Sequence, residues 1–171
     1  MKEIEFVETK HFYSSDDKLK WGYGEWVEEV DAMYFTYKNY DAHIIRNNLG
    51  ALCGYIAIPK NHPWYKVEND YDIPCNVHGG ITFDQLCIHK ETNLEQRVIG
   101  FDCSHFNDLS PALNHDLNML YNDHDASQNL KEFFSKYHLN DVYKNINYCV
   151  QECKSMIEQA IESEIADIAQ R

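Results

Sequence analysis

The chain has 171 residues, of which 44% are hydrophobic and 13% aromatic, and it carries a net charge of −13. Such a length fits one domain with a sizeable core. The acidic balance repels phosphate backbones and anionic lipid surfaces, which argues against a nucleic-acid polymer or a membrane as partner. One small anionic ligand is still allowed, because a local cluster of donors overrides the global charge.

The opening Met1-Lys-Glu-Ile-Glu-Phe is too polar to begin a secretory signal. No apolar run approaches the roughly 18 residues of a membrane span. A cytoplasmic location is therefore expected, with reduced cysteines. Lys2 to Glu8 suits a short strand. Ser14-Ser-Asp-Asp reads as a turn and Gly22-Tyr-Gly as a loop. Trp26 to Lys38 looks extended. Met33-Tyr-Phe-Thr-Tyr and Ala42-His-Ile-Ile-Arg, joined by the turn Lys38-Asn-Tyr-Asp, read as a hairpin over 32–46. Ala51 to Ile58 is apolar almost throughout and fits a strand buried on both faces. Gly54 within it signals a bulge or a close approach by another backbone.

Pro59-Lys-Asn-His-Pro-Trp-Tyr is a loop held by two prolines, followed by an acidic loop over 66–74. His78-Gly-Gly-Ile-Thr-Phe and Gly100-Phe-Asp-Cys-Ser-His read as strand ends carrying histidines, with a polar connection or hairpin over 84–96 between them. If the two segments pair, their polar groups meet at one end of a sheet. Residues 112–138 show no clean period and read as a polar excursion with one short helix near 127–137. Their histidines, His115, His124 and His138, look solvated. From 141 to 169 apolar residues recur at three-and-four spacing, which predicts one amphipathic helix capped by Asn140 or Asp141. Cys149 and Cys153 share its buried face.

The whole reads as a single α+β domain over 1–171, with its core in 26–111. It is expected to hold a mainly antiparallel sheet of five or six strands with the long C-terminal helix on one face. That helix is also a candidate homodimer contact.

Several residues could carry chemistry. Gly79 and Gly80 permit positive φ and can present N–H groups to an anion, with His78 beside them; a tight turn at a crowded sheet end explains them as well. Lys60 and His62 can meet a phosphate, and Trp64 or Tyr65 can stack on a base. Arg46 can clamp a phosphate, although such an arginine more often pairs with a carboxylate. Thr82, Asp102, Ser104 and His105 complete the candidate ligand set. His78, Asp102, His105 and Asp108 alternatively suit a site for zinc or another divalent metal, or a His–Asp general base. No HxH, HxxxH or HExxH spacing is present. Ser104 lacks the G-x-S-x-G elbow, and Cys103 has no readable activation.

Arg46 through Gly54, Pro59-Lys-Asn-His-Pro, His78-Gly-Gly-Ile-Thr-Phe and Gly100-Phe-Asp-Cys-Ser-His with Asp108 resemble, in order, the LCGYV, P-x-x-HP, VHGGLT and GFDCAHxxD motifs of a family of small bacterial and phage proteins of unknown function. The resemblance covers about residues 22–160. It implies a site at these residues and, for a phage protein, a host cytoplasm. It implies no reaction and does not extend to 112–138.

Three functions compete on these grounds. The favoured expectation is non-catalytic binding of a small phosphorylated, nucleotide-like ligand without a cofactor, such as a phage sponge for a host nucleotide immune signal. The alternative is a metal-dependent or His/Asp-based hydrolase of a phosphoester-type substrate. The third is an interaction protein inhibiting a host enzyme through its acidic surface.

Overall fold

The computed structural model describes residues 4–5, 7–89, 92–121, 128, 132 and 141–170. Six strands form one sheet: β1 (Val7–Lys10), β2 (Ala32–Tyr37), β3 (Tyr40–Arg46), β4 (Leu52–Pro59), β5 (Phe83–Ile88) and β6 (Glu95–Asp102). Their order is β1-β2-β3-β4-β6-β5, and every pairing is antiparallel. Among the described residues, the helices that accompany them are α1 (Ser15–Leu19), α2 (Pro111–Tyr121) and α3 (Ile146–Ala169). The α+β class, the antiparallel sheet and the long C-terminal helix agree with the sequence reading.

The β2–β3 hairpin turns on Lys38 and Asn39, both at positive φ. Two positive-φ residues in a two-residue loop match the twist of the flanking strands. The 84–96 stretch resolves into a hairpin, with Phe83 opposite Gly100. Trp26 and Val27, expected to be extended, lie instead in a 3-10 turn over Glu25–Val27 that buries both.

One sheet face carries Phe35, Tyr37, Ala42, Ile44, Ile56 and Ile99, all buried. Against it α3 packs Cys149, Cys153, Met156, Ile157 and Ala160. The helix starts later than the apolar spacing indicates. Asn145, not Asn140 or Asp141, is the cap, accepting the Tyr148 N–H. Residues 141–145 are not helical, and Val142 bridges to Asp108. The helix α2 has no counterpart in the sequence reading. It opens with Pro111, a residue suited to a first helical position, and spaces Leu113, Leu117 and Leu120 four and three apart; the Asn, His and Asp residues between them masked that short stripe. The short helix expected near 127–137 lies outside the described residues apart from positions 128 and 132.

Gly54 sits under α3. A Cβ there would strike the Phe101 ring of the paired strand and come within 2.9 Å of Cys153 Sγ. Side chains, not a second backbone, make the close approach. Gly54→Ala is expected to cost about 1–3 kcal/mol by overpacking, read as a lower urea midpoint at unchanged slope. An unchanged midpoint would contradict this packing.

Strand β4 pairs with β6 from Cys53 opposite Asp102 to Pro59 opposite Gln96. At roughly 3.4 Å per residue, the two ends of that ladder lie about 20 Å apart. β4 and β5 flank β6 and run parallel to each other, so residues 60–82 must return along the sheet to begin β5 beside Gly100. This return decides which polar residues meet.

Candidate functional site

At the Asp102 end of the sheet, three segments converge. Residues 76–80 are strapped to α3. The Asn76 N–H donates to Gln159 Oε1 (2.7 Å), Gln159 Nε2 donates to the Asn76 carbonyl (2.8 Å), and the His78 N–H donates to Glu152 Oε2 (2.9 Å). The 103–110 loop is held by the backbone pairing of Leu109 and Asn107 with Val142. Gly79 and Gly80 have φ of +66° and +87°, a conformation that costs glycine little. A Cβ on Gly79 would collide with the His105 imidazole. The glycine pair thus turns the chain and leaves room for a second histidine.

Asp108 lies at the centre and is 8% exposed. Its Oδ2 accepts from His78 Nε2 (2.7 Å) and from the His105 N–H (3.0 Å). Lys144 Nζ stands 4.0 Å from Oδ1. The other ring nitrogen of His78, Nδ1, meets the Tyr148 hydroxyl at 3.0 Å. With Nε2 facing a carboxylate, the proton belongs on Nε2, and the tyrosine donates to Nδ1. Burial pushes the Tyr148 hydroxyl up to about 12, with the Glu152 charge adding to the effect, so it stays a donor.

His105 differs from His78. Its Nδ1 is buried and makes no hydrogen bond, although Asp108 Oδ2 is 3.5 Å away and Asp102 Oδ1 3.9 Å. Ligand atoms of His78, His105 and Asp108 all lie within 4.8 Å of one another. The arrangement offers two imidazoles and a carboxylate at one point. It can hold a cation, or a water whose proton an imidazole can take.

The remaining predicted residues divide. Asp102 receives the Ser104 N–H on Oδ1 (2.9 Å), and Ser104 Oγ accepts from Asn47 Nδ2 (3.3 Å), so both shape the loop beside the cluster. Thr82 is exposed just before β5, with its N–H on the Gly100 carbonyl. The expected anion nest loses donors: the Gly80 N–H goes to Val77 and the His78 N–H to Glu152.

Lys60, His62, Trp64 and Tyr65 are not part of the cluster. They follow Pro59 at the opposite end of the β4–β6 ladder. His62 is fully buried; its Nδ1 accepts the Trp64 N–H and its Nε2 donates to the Ala160 carbonyl of α3 (3.0 Å). Burial lowers its pKa, so it stays a neutral structural group. Trp64 is 1% exposed and belongs to the core. Lys60 pairs with Glu95 at 2.6 Å on the surface.

Arg46 is likewise committed to structure. Its Nε donates to Asp31 Oδ1 (2.7 Å), and its other nitrogens reach the Gly50 carbonyl, the Tyr143 hydroxyl and Glu29. Its commoner role, pairing with a carboxylate, is the one it plays. Arg97 does the same further along, bridging Asp84 and the carbonyls of Trp64 and Val67.

Cys103 and Cys149 place their sulfurs 3.8 Å apart behind the site. The contact with Cys149 and burial both raise the Cys103 pKa, which makes it a packed thiol and no nucleophile. All six cysteines are free.

Lys144, Tyr148 and Glu152 escaped the sequence reading. A signal was present: Tyr148, Glu152 and Gln159 are spaced four and seven apart, a polar line along one flank of α3.

No protein-family model matches the chain, and searches of curated proteins and of solved structures return no match.

Proposed function

We propose that the protein is a hydrolase of a small phosphoester-type substrate, with His78, His105 and Asp108 as the centre that activates water. The observation that carries this reading is the buried, unpartnered Nδ1 of His105, 3.5 Å from an Asp108 carboxylate already oriented by His78. An imidazole beside a fixed carboxylate is the usual couple for taking a proton from water. Lys144 supplies a positive charge for an anionic substrate. Arg46, Lys60 and Trp64, three of the residues offered for ligand binding, are engaged elsewhere. Among the described residues, no helix is long and apolar enough to cross a membrane.

The test is turnover of bis(4-nitrophenyl) phosphate, 4-nitrophenyl phosphate and a panel of nucleotides. His105→Ala is expected to lower kcat by about 10²-fold or more. No turnover by the natural chain, or equal turnover by the variant, would reject the reading.

Sequestration of an intact phosphorylated ligand at the same cluster is the second reading. Lys144 favours it by lying over the Tyr148 ring at 5.1 Å, which makes a cationic and aromatic corner for a nucleotide-like molecule. It expects stoichiometric binding and recovery of the ligand unchanged after denaturation. A phage sponge for a host nucleotide signal is the biological form of this second reading.

A further inference from the structure

We infer that His78, His105 and Asp108 bind one divalent transition-metal ion of the zinc class. The inference deepens the hydrolytic reading, with the bound ion in place of the His105 imidazole as the group that would activate water, and rests on that reading for the purpose of the ion, though not for its binding.

Four independent observations converge. The three ligand atoms are already gathered within 4.8 Å, and metal–ligand bonds of about 2.0–2.2 Å can reach all three from one point with small shifts. His105 Nδ1 is a buried polar atom without a partner; such an atom costs about 1–3 kcal/mol, and an ion satisfies it. His78 has its second nitrogen on the Tyr148 hydroxyl, the outer contact by which metal-bound imidazoles are oriented. The chain is also shaped to admit the second imidazole, since Gly79 lacks the Cβ that would occupy the His105 ring position.

The donor set selects the ion. Two imidazoles and one carboxylate suit zinc-class ions and leave a fourth position for water. Calcium and magnesium prefer oxygen ligands throughout. Asp102 and Glu152 lie beside the cluster with Lys144 opposing them, so the surroundings carry negative charge and attract a cation.

Binding requires one proton rearrangement. The Nε2–H bond of neutral His78 breaks and an Nδ1–H bond forms, now donating to the Tyr148 oxygen. Nε2 then gives its electron pair to the ion, and the ring keeps its charge.

The experiment uses the full chain, stripped with a chelator and titrated with Co²⁺ (visible absorption) and Zn²⁺ (calorimetry). One equivalent is expected to bind. His105→Ala and Asp108→Asn should each abolish saturable binding, with folding checked by circular dichroism. His105 is partly exposed, so its variant keeps the test open if the Asp108 variant does not fold. Tyr148→Phe should weaken affinity about 10–100-fold without removing a ligand. His43→Ala and His89→Gln, on other elements, should leave the titration unchanged.

Absence of binding, binding that survives His105→Ala, or binding lost in the His43 or His89 variants would overturn the inference. Turnover by the stripped chain would overturn the ion's role and leave the hydrolytic reading standing. One-equivalent binding without turnover of any phosphoester would leave the ion in place and overturn the hydrolytic reading.

Discussion

Asp31→Ala is expected to remove about 3–5 kcal/mol of stability, because it leaves buried positive charge without its partner. Asp31 is fully buried, and so is Lys18, with Arg46 at 3% exposure. Asp31 Oδ1 lies 2.7 Å from Arg46 Nε and 3.6 Å from Lys18 Nζ. Its Oδ2 takes the N–H groups of Phe12 and Tyr13. One carboxylate thus fixes the N-terminal segment, α1 and the end of β3. Against a total stability of about 5–15 kcal/mol the loss is large. Urea denaturation followed by tryptophan fluorescence measures it; a change below about 1 kcal/mol would show that the network carries little.

The same carboxylate sets a pH dependence. Burial alone would raise its pKa, but the Tyr13, Arg46 and Phe12 hydrogen bonds and the Lys18 charge outweigh burial and lower it. A depressed carboxylate contributes stability that is fully present above its unfolded pKa of about 3.9. That contribution fades as pH falls through the lower folded value. The acid limb of the stability curve below about pH 4 should therefore flatten in Asp31→Asn.

Asp108→Asn is expected to lower turnover by about 10²-fold or more, while Asp102→Asn costs far less. Both carboxylates stand near His105 Nδ1, at 3.5 and 3.9 Å. Only Asp108 also fixes His78, and it is the more buried of the two. Asp102 is occupied with the Ser104 N–H. A neutral amide at 108 keeps the shape but removes the charge that orients both imidazoles. Comparison of kcat and KM for the two variants decides the matter. Equal losses would place the chemistry at Asp102 or outside the cluster.

Local pattern made much of the fold legible. The 32–46 hairpin and the α3 period were visible because one face of each is buried, and the β4 run because Leu52, Cys53 and Gly54 are buried on both faces before the pattern alternates. The helix α2 was not, because its stripe of Leu113, Leu117 and Leu120 is short and lies among Asn, His and Asp residues. The site was half visible. His78, the glycine pair, His105 and Asp108 stood out as polar groups at the edges of apolar runs. What could not be read was the strand order. Placing β6 between β4 and β5 sends residues 60–82 back along the sheet, which parts Lys60 and His62 from His78. Tyr148 was hidden for a related reason: a tyrosine beside a helix cap reads as packing until the neighbouring loop is known.

The strapping of residues 76–80 onto α3 sets an order of events in a newly made chain. His78 meets Asp108 across 30 residues and Tyr148 across 70. Contacts so distant in sequence close late, since loop entropy must be overcome first. A nascent chain that has not yet exposed residues 145–159 can pair its strands, yet it has neither the hydroxyl for His78 nor Glu152 and Gln159 to hold the loop. The cluster is therefore complete only with the final helix docked.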